Sequence, residues 1–472
     1  MHGTQIQPHR KLHPNGAVAA LLLSTFLASL AVSSVNVLLP SLMVELDATY
    51  TEVQWVVIGY MLSLTSILVI AGRLSDLYGR RPLFIIGMVV FIAGSVLCGT
   101  ATTIEWLSTF RLLQGAGAAI LISVNLALIS EIVPKGKAGA AIGLVGSMSA
   151  VGTATGPVLG GWMAEVIGWQ SIFLLNVPLG LLALFIGMAC IHTLRGIEDR
   201  NIKRFDFIGS ISLATLTICY ALGVKLFAEN SASIAVALIC LSIMISIVFV
   251  ASQRRSRSPL ISMAALRDRE LFVFILFNFA VSMVVMTAFV IGPFYLMNGL
   301  GLSLPQTGLV MAVSPVIVAS VSFIVGRSLS ERNTRAIITT GLVALLIGAL
   351  GLALLDRSSS VSGYLICLVF TALGYGTFTA SHNTFLMLSA SPDERGAVSG
   401  LVSFSRNLGL LSGAAIMSTL FELFTGASQH EQLPPEFAEI GLNRVYTVIA
   451  LVLSTAIFVQ RRAKSRNEAN IN

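Results

Sequence analysis

The chain has 472 residues, of which 55% are hydrophobic and only 11% are charged, and its mean hydropathy is +0.87. A single soluble core of this length does not hide so much apolar surface, so the composition excludes an ordinary soluble protein and indicates one embedded in lipid. The formal net charge of +7 does not indicate a nucleic-acid partner, because the basic residues are spread over many short segments between apolar runs.

Apolar runs long enough to cross a membrane recur along the chain. An apolar helix needs about 20 residues to span a hydrocarbon layer about 30 Å thick. The first run is too long for the apolar region of a cleaved signal peptide and has no small-residue cleavage site, so we expect it to remain as a span. In total we predict fourteen spans, at residues 17–40, 52–71, 82–100, 106–130, 138–163, 171–193, 206–226, 232–252, 270–297, 303–326, 335–355, 361–387, 397–421 and 443–460.

The positions of the basic residues predict how these spans are oriented. Short loops rich in Lys and Arg stay on the cytoplasmic side of a membrane. Most of the 29 Lys and Arg residues fall before the first span, in every second loop and after the last span. We therefore expect a multi-pass protein of the cell (inner) membrane with both termini in the cytoplasm.

Two loops look like copies of one another. "AGRLSDLYGRRPLF" (71–84) follows the second predicted span and "VGRSLSERNTRAII" (325–338) follows the tenth. With one inserted residue, Asp76 aligns with Glu331 and Arg80 with Arg335. The repeat predicts an all-α membrane protein of two six-helix bundles around a central cavity, which is the architecture of a secondary transporter. The predicted divisions are an N-terminal segment (1–16), a first bundle (17–193), a two-helix insertion with flanking loops (194–269), a second bundle (270–460) and a tail (461–472).

Three short segments occur in the order and spacing of known family signatures. "GRLSDLYGRR", "RLLQGAGAA" and "GTATGPVLGG" resemble the loop 2–3, helix 4 and helix 5 signatures of the major facilitator superfamily, the last being that of its exporting branches. The matching positions are Gly72, Leu74, Asp76, Gly79, Arg80 and Arg81, then Arg111, Gln114, Gly115 and Gly117, then Gly152, Gly156, Pro157, Gly160 and Gly161.

Further segments narrow this resemblance. The fourteen predicted spans, "NVLLP" (36–40), "WQSIFLLNVP" (169–178) and "SGLVSFSRNLG" (399–409) resemble the fourteen-span drug:proton antiporter branch, which includes quaternary-ammonium and tetracycline efflux pumps. The resemblance implies a secondary transporter that exports amphipathic small molecules by alternating access, monomeric in its bilayer, with the proton gradient as its energy source and no cofactor. No Walker-type G-x-x-x-x-G-K-[ST] segment occurs, which argues against ATP as the energy source.

Two other functions stay open at this point. The first is a facilitator or uptake carrier for an organic anion, which inside-out vesicles with an imposed pH gradient would distinguish from an exporter. The second, a membrane-embedded sensor or enzyme, needs a soluble domain or catalytic cluster that the short loops do not supply. The five cysteines lie in apolar runs without a CxxC pair, so we expect neither a metal site nor disulfides.

The charged loop after the second span is the first candidate functional element. Gly79 permits a tight turn, and a carboxylate at Asp76 can pair with an arginine or stabilise the positive end of a helix. In the family this loop latches the two halves together when the cavity faces outward. We expect the same of Gly72, Asp76, Gly79, Arg80 and Arg81, and of the second copy with Glu331 and Arg335. The alternative is that the basic residues only fix topology, which leaves Asp76 without a role.

The fifth span carries the next candidate. Gly152, Gly156 and Gly160 are four residues apart, so they share one helix face and permit close helix contact. Pro157 removes a backbone hydrogen bond and bends the helix. We expect this motif, with Gly161, to form a hinge and seal between the two halves.

Two arginines lie within predicted spans, where a charge costs about 2.5–3.5 kcal/mol on insertion scales. We expect Arg111, beside Gln114 and Gly115, and the deeper Arg406 to face the cavity. Snorkelling of the side chain to the membrane surface is the alternative for each.

One family feature is missing. Many members of this branch carry an acidic residue five positions before the Asn of the "NV" pair, and here that position is Ala31. Glu131 and His382 are the candidate substitutes for proton coupling, against a solvated glutamate and a neutral packing histidine as the simpler interpretations. Two embedded arginines without an embedded acid predict a cavity that favours neutral or anionic amphiphiles. The candidate residues of the substrate and proton cavity are Asn36, Glu131, Asn176, Asn278, His382, Arg406 and Asn407.

Overall fold

The structure is a computed structural model that describes residues 14–133, 138–191, 206–227, 231–256, 260, 268–329, 333–356, 360–389, 395–426 and 434–469. These residues are helical apart from short connections, and they contain no β-strand. The helices are α1 (Pro14–Asn36), α2 (Leu39–Glu45), α3 (Tyr50–Tyr78), α4 (Arg80–Gly99), α5 (Ile104–Ile132), α6 (Ala138–Ile167), α7 (Gln170–Cys190), α8 (Phe207–Leu226), α9 (Ala232–Arg255), α10 (Arg269–Phe294), α11 (Leu304–Ser328), α12 (Thr334–Ala353), α13 (Ser360–Ser389), α14 (Arg395–Ser412), α15 (Ser418–Thr425) and α16 (Pro435–Ala469).

Every predicted span overlaps one of these helices. Thirteen helical segments in the described part of the chain are long and apolar enough to cross a membrane. The remaining predicted span, 138–163, lies in the glycine-rich α6, which is 30 residues long and is not among these thirteen. The first predicted span also ends earlier than expected, because α1 stops at Asn36 and Pro40 lies in the first turn of α2, where its missing N–H is tolerated.

Two of the long helices contain π-helical turns. One covers Tyr295–Gly299 at the end of α10, and the other covers Gly413–Met417 and joins α14 to α15. π-helical turns are rare and frequently mark functional positions. The thirteenth predicted span is therefore α14, a π turn and α15 in succession, rather than one regular helix.

The long helices pack in two groups. In the first, α5 packs against α3 and α4, while α1 packs against α6 and α7. In the second, α13 packs against α11 and α12, α10 against α14, and α12 against α16. We call these groups the N-terminal half (α1–α7) and the C-terminal half (α10–α16). α8 and α9 pack against each other, and α8 also contacts α3 and the π turn at 413–417.

Local sequence signals explain several of the helix ends. Thr49 and Glu52 form a reciprocal capping box at the start of α3, so two otherwise unpaired backbone N–H groups are satisfied there. Ser303 and Gln306 do the same at the start of α11. Gly79 lies between α3 and α4 with a φ of 91°, a backbone angle that side chains disfavour, so the sharp turn requires a glycine.

The two halves meet through α6 with α11 and α3 with α14. At one end of the molecule the contact of α6 with α11 is backbone to backbone, since a Cβ added to Gly161 would lie 2.6 Å from the Leu304 carbonyl oxygen. At the other end, a Cβ added to Gly146 of α6 or Gly326 of α11 would meet no atom within 4 Å. We call these ends the closed face and the open face. The two helices are thus in tight contact at the closed face, whereas these glycines have no close neighbour at the open face.

Candidate substrate cavity and its two faces

The closed face is sealed by an aromatic cluster and by backbone contacts. The Tyr50 ring at the start of α3 lies 4.9 Å from the Phe294 ring and 5.3 Å from the Phe421 ring, measured between centroids. All three side chains are buried, and two of them belong to the C-terminal half. Beside them, a Cβ on Gly308 of α11 would collide with the Pro157 carbonyl of α6. The two halves are therefore in direct contact at this cluster.

A buried ion pair lies next to this aromatic cluster. The Lys225 Nζ atom of α8 is 3.3 Å from the Glu422 Oε2 atom of α15, and the two side chains are 0% and 3% exposed. The Thr51 hydroxyl of α3 donates a short hydrogen bond to the other Glu422 oxygen. Sequence reasoning did not select this pair, because each residue lies near the end of a predicted span. A lysine inside the predicted span 206–226 was the available signal.

The open face carries the charged loop after α3. Arg80 is 2.5 Å from a Glu131 carboxylate oxygen, 3.8 Å from an Asp76 oxygen, and donates to the Ala127 carbonyl at 2.8 Å. These partners all belong to the N-terminal half. Arg81 likewise donates to the Met188 carbonyl of α7 at 3.0 Å. Among the residues that the structure describes, the contacts of Arg80 and Arg81 therefore fasten helices within one half, and none of them joins the two halves.

This cluster includes Glu131, one of the two candidate proton-coupling residues. Its side chain is 35% exposed and paired with Arg80, so it lies at the mouth of the cavity and not in its interior. Gly72 packs closely on α5, since a Cβ added to it would lie 3.1 Å from the Ser123 hydroxyl oxygen. In the second copy of the loop, Glu331 lies outside the described residues, and the Arg335 guanidinium lies 5.3 Å from the Phe385 ring centroid.

Arg111 is buried inside the N-terminal half, at 1% exposure, and the expectation that it faces the cavity is wrong. It donates to the Val56 carbonyl at 3.0 Å, the Ala31 carbonyl at 3.2 Å and the Gln114 side chain at 2.5 Å. Its guanidinium also lies 4.1 Å from the Tyr60 ring centroid. Five N–H donors in a fixed fork let an arginine be satisfied by carbonyls and a π face without water. The guanidinium thus bonds to the main chain of Ala31, the residue that stands where many members of the branch carry an acid.

Gly115 and Gly117 in the same motif let α5 approach its neighbours. A Cβ on Gly115 would lie 2.5 Å from the Tyr60 carbonyl of α3, and one on Gly117 would collide with the Phe91 backbone of α4. Gln114 continues the polar network by donating to the Ser95 hydroxyl at 2.8 Å. The helix 4 motif therefore builds the interior of the N-terminal half.

The helix 5 motif lies on α6 and contacts neighbours on two sides of that helix. Only one of these sides contacts the other half. Gly152, Gly156 and Gly160 all press on α1; a Cβ on Gly152 or Gly160 would lie 2.5 Å from a carbonyl oxygen of that helix. The prediction that this glycine stripe seals the halves is wrong, since α1 and α6 belong to the same half. The contact across the halves is made by Pro157 and Gly161 with α11.

Three of the candidate asparagines are buried, and the prediction that they line the cavity is wrong. Asn36 and Asn176 each donate to the carbonyl four residues earlier in their own helix, at 3.0 Å. Asn278 of α10 donates to the Val402 carbonyl of α14 at 2.9 Å and so joins two helices of the C-terminal half. An amide in an apolar interior takes the nearest carbonyl, because an unpaired polar group there costs more than the hydrogen bond gains.

His382 is also enclosed, at 0% exposure. Its Nε2 atom is 2.7 Å from the Phe274 carbonyl oxygen, and its ring lies 4.9 Å from the Phe378 ring and 5.9 Å from the Phe274 ring. Because a carbonyl only accepts, Nε2 carries the proton in this contact. The geometry agrees with the simpler interpretation of a neutral packing histidine.

Arg406 and Asn407 lie on a polar side of α14. Ser399, Ser403, Arg406 and Asn407 follow helical spacing on one side, and all are partly or fully exposed. Ser405, on another side, donates to the Ile275 carbonyl of α10 at 2.8 Å. An exposed arginine within a span is costly against hydrocarbon, so Arg406 and Asn407 stay candidate cavity residues.

The tyrosines of a second cleft were missed by sequence reasoning. A cleft in the C-terminal half combines tyrosine hydroxyls with apolar surface and has no charged lining residue. Tyr364 also stacks on the Tyr295 ring at 5.7 Å. Tyrosines inside apolar spans were the available signal. The lining includes Phe289, Met311, Ser314, Tyr364, Tyr375 and Tyr446.

With this geometry established, comparison with known proteins identifies the family. The sequence matches the Major Facilitator Superfamily over residues 21–414, most of its length. The chain belongs to this superfamily. It is therefore a multi-pass membrane protein that transports small molecules, as its relatives do.

Two curated relatives cover most of the chain. The riboflavin transporter RibZ of Clostridioides difficile (strain 630) is 27% identical over 450 residues, which are 94% of this chain and 97% of that protein. Multidrug resistance protein Stp of Mycobacterium tuberculosis (strain ATCC 25618 / H37Rv) is 30% identical over 420 residues, which are 87% of this chain and 76% of that protein. The crystal structure of the nucleoside transporter NupG has a TM-score of 0.63 at 12% identity, over 94% of this chain and 98% of its own, and supports the fold alone.

Proposed function

We propose that this superfamily member exports amphipathic organic molecules by alternating access, in exchange for protons, as a member of the fourteen-span drug:proton antiporter branch. The observation that carries the proposal is the asymmetry of the two faces. α6 and α11 touch through their backbones at the closed face, whereas glycines of the same two helices meet no atom within 4 Å at the open face. A transporter that alternates needs a cavity that is open to one side at a time. A multidrug resistance protein among the relatives supports export as the direction.

The open face is the cytoplasmic face in this proposal. It carries Arg73, Arg80 and Arg81, and basic residues favour the cytoplasmic side of a membrane. All fourteen predicted spans, including α6, then cross the bilayer, and both termini lie in the cytoplasm. Reporter fusions at each end test this topology. We expect both reporters to be active only as cytoplasmic fusions, and termini on opposite sides would contradict it.

The cavity chemistry favours neutral or anionic amphiphiles. Arg406 is exposed on the polar side of α14, and the tyrosine-lined cleft offers hydroxyls and aromatic faces without charge. Aromatic side chains and methionines such as Met311 adapt to apolar ligands of different shape. Arg406 also supports the second candidate function, a facilitator or uptake carrier for an organic anion.

Glu131 is the better of the two candidate proton-coupling residues. Its carboxylate is at the mouth of the open cavity, where water reaches it, and it is held by Arg80 at 2.5 Å. Protonation of Glu131 would remove its ion pair with Arg80 and leave Arg80 with Asp76 and the Ala127 carbonyl, so one event changes the charge and the contacts of this loop. His382 has no such access, since it is fully buried against Phe274 and Phe378.

Transport into inside-out vesicles with an imposed pH gradient tests the function. The probes are neutral, anionic and permanently cationic dyes. We expect accumulation that stops when the gradient is collapsed and is strongest for neutral and anionic dyes. Glu131→Gln should abolish proton dependence, whereas His382→Ala and the control Glu165→Gln should keep it. Accumulation that ignores the gradient in the unmodified protein would favour the facilitator and contradict proton exchange.

A further inference from the structure

The Lys225–Glu422 pair connects three separately packed parts of the molecule. Lys225 lies at the end of α8 in the inserted pair, Glu422 in α15 of the C-terminal half, and Thr51 at the start of α3 in the N-terminal half. The Lys225 ammonium also lies 5.9 Å from the Tyr50 ring centroid, so it contacts the aromatic cluster that seals the closed face. All of these groups are buried.

The physical cost of such a pair argues against a purely stabilising role. Removing two charges from water is expensive for each ion, and the attraction between them often fails to offset that cost. Apolar side chains of similar size would hold the same helices together at least as well. A buried pair is better suited to a contact that must form in one state and dissolve in another, because both charges regain water when they separate.

The pair meets this requirement. Glu422 has partners from both α3 and α8, and the contact exists only while these helices approach α15 at the closed face. Separation of the halves there would expose both Glu422 and Lys225 to water. The ionic contact is thus linked to the position of the two halves, and the inserted helix α8 takes part in it.

We propose that Lys225, Glu422 and Thr51 form a clamp that holds the closed face shut, and that the inserted helix α8 is thereby part of this gate. The proposal rests on the alternating-access mechanism above and extends it, because it gives the inserted helices a role in gating. Lys225 and Glu422 are positioning residues: they set the equilibrium between the two conformations and need not touch substrate.

Spin-label distances test the clamp without any substrate. The labels are placed at Val44→Cys in the N-terminal half and Leu354→Cys in the C-terminal half, both on the closed face. These two side chains are 66% and 81% exposed. The full-length protein is used, with its five native cysteines replaced. We expect Glu422→Gln or Lys225→Met to shift the distance distribution to longer values. The double variant Lys225→Met with Glu422→Met should restore the short distance, since it leaves no buried unpaired charge. Glu436→Gln, an exposed carboxylate at the start of α16, is the control and should change nothing.

Unchanged distances in both single variants would overturn the clamp. If neither single variant folds, Thr51→Val decides, because it removes only one partner of the Glu422 carboxylate. A smaller shift to longer distances in this variant supports the clamp. The absence of any shift overturns the clamp. Dye transport is measured on the same proteins. Failure of the unmodified protein to transport any dye would count against the proposed function, while the distance result would still decide the clamp.

Discussion

The two faces of this transporter are built from the same helices but with different chemistry. At the closed face, α6 and α11 meet through glycines and a proline, and a buried ion pair and aromatic rings fill the rest. At the open face, the charged groups are partly exposed and Arg80 bonds within its own half. Exposed ion pairs contribute little stability, whereas buried ones are costly to disturb. The difference indicates that the closed face sets the conformation and that the open-face charges hold loops in place.

The largest expected effect comes from filling the closed contact. Gly308→Leu places a side chain against the Pro157 carbonyl, and overpacking of this kind costs about 3 kcal/mol. We expect the closed-face label distance to lengthen and dye transport to fall at least about tenfold, which corresponds to about 1.4 kcal/mol.

Gly326→Leu is the matched control on the same helix. A Cβ there meets no atom within 4 Å in this conformation, so the closed-face distance should stay the same. Equal lengthening in both variants would show that helix α11 is disturbed as a whole and would remove the contrast between the faces.

The next effect concerns the two arginines within spans. Arg111→Met removes a buried guanidinium and its hydrogen bonds to the Val56 and Ala31 carbonyls, so we expect a loss of about 2 kcal/mol in unfolding free energy. Arg406→Met removes an exposed group and should change stability by less than about 0.5 kcal/mol. Thermal unfolding in detergent measures both. A larger loss for Arg406→Met than for Arg111→Met would contradict their assigned positions.

The smallest stability effect belongs to the open-face charges. Arg80→Gln breaks pairs with Asp76 and Glu131 that are partly solvated, so the unfolding free energy should fall by less than about 1 kcal/mol. Transport should fall more than stability, because the family's latch between halves forms only in the opposite conformation. Unimpaired transport in this variant would show that the loop has no latching role.

The sequence predicted the helices well and the side-chain environments less well. Long apolar runs identify helices because the hydrophobic thickness of a bilayer fixes their length. Periodicity also placed Gly152, Gly156 and Gly160 on one side, but could not say that α1, rather than α11, lies against it. The partner of a helix face depends on tertiary packing, which a single sequence does not encode locally.

The same limit explains why the predicted locations of several polar residues are wrong. Arg111 and the asparagines looked like cavity groups because polar side chains are costly in lipid. Carbonyls inside a bundle accept hydrogen bonds from their N–H groups, as the contacts of Arg111 with Val56 and Ala31 demonstrate. The Lys225–Glu422 pair escaped selection for the opposite reason: its residues are 197 positions apart, and each alone resembles an ordinary span-end charge.

The most direct test of the account measures both faces of one protein. The closed-face labels at Val44 and Leu354 are compared with open-face labels at Tyr78 and Ser328, before and after a proton gradient and a transported dye are supplied to protein in vesicles. Alternating access predicts that the closed-face distance lengthens as the open-face distance shortens. Distances that lengthen together, or an open-face distance that never shortens, would contradict alternating access.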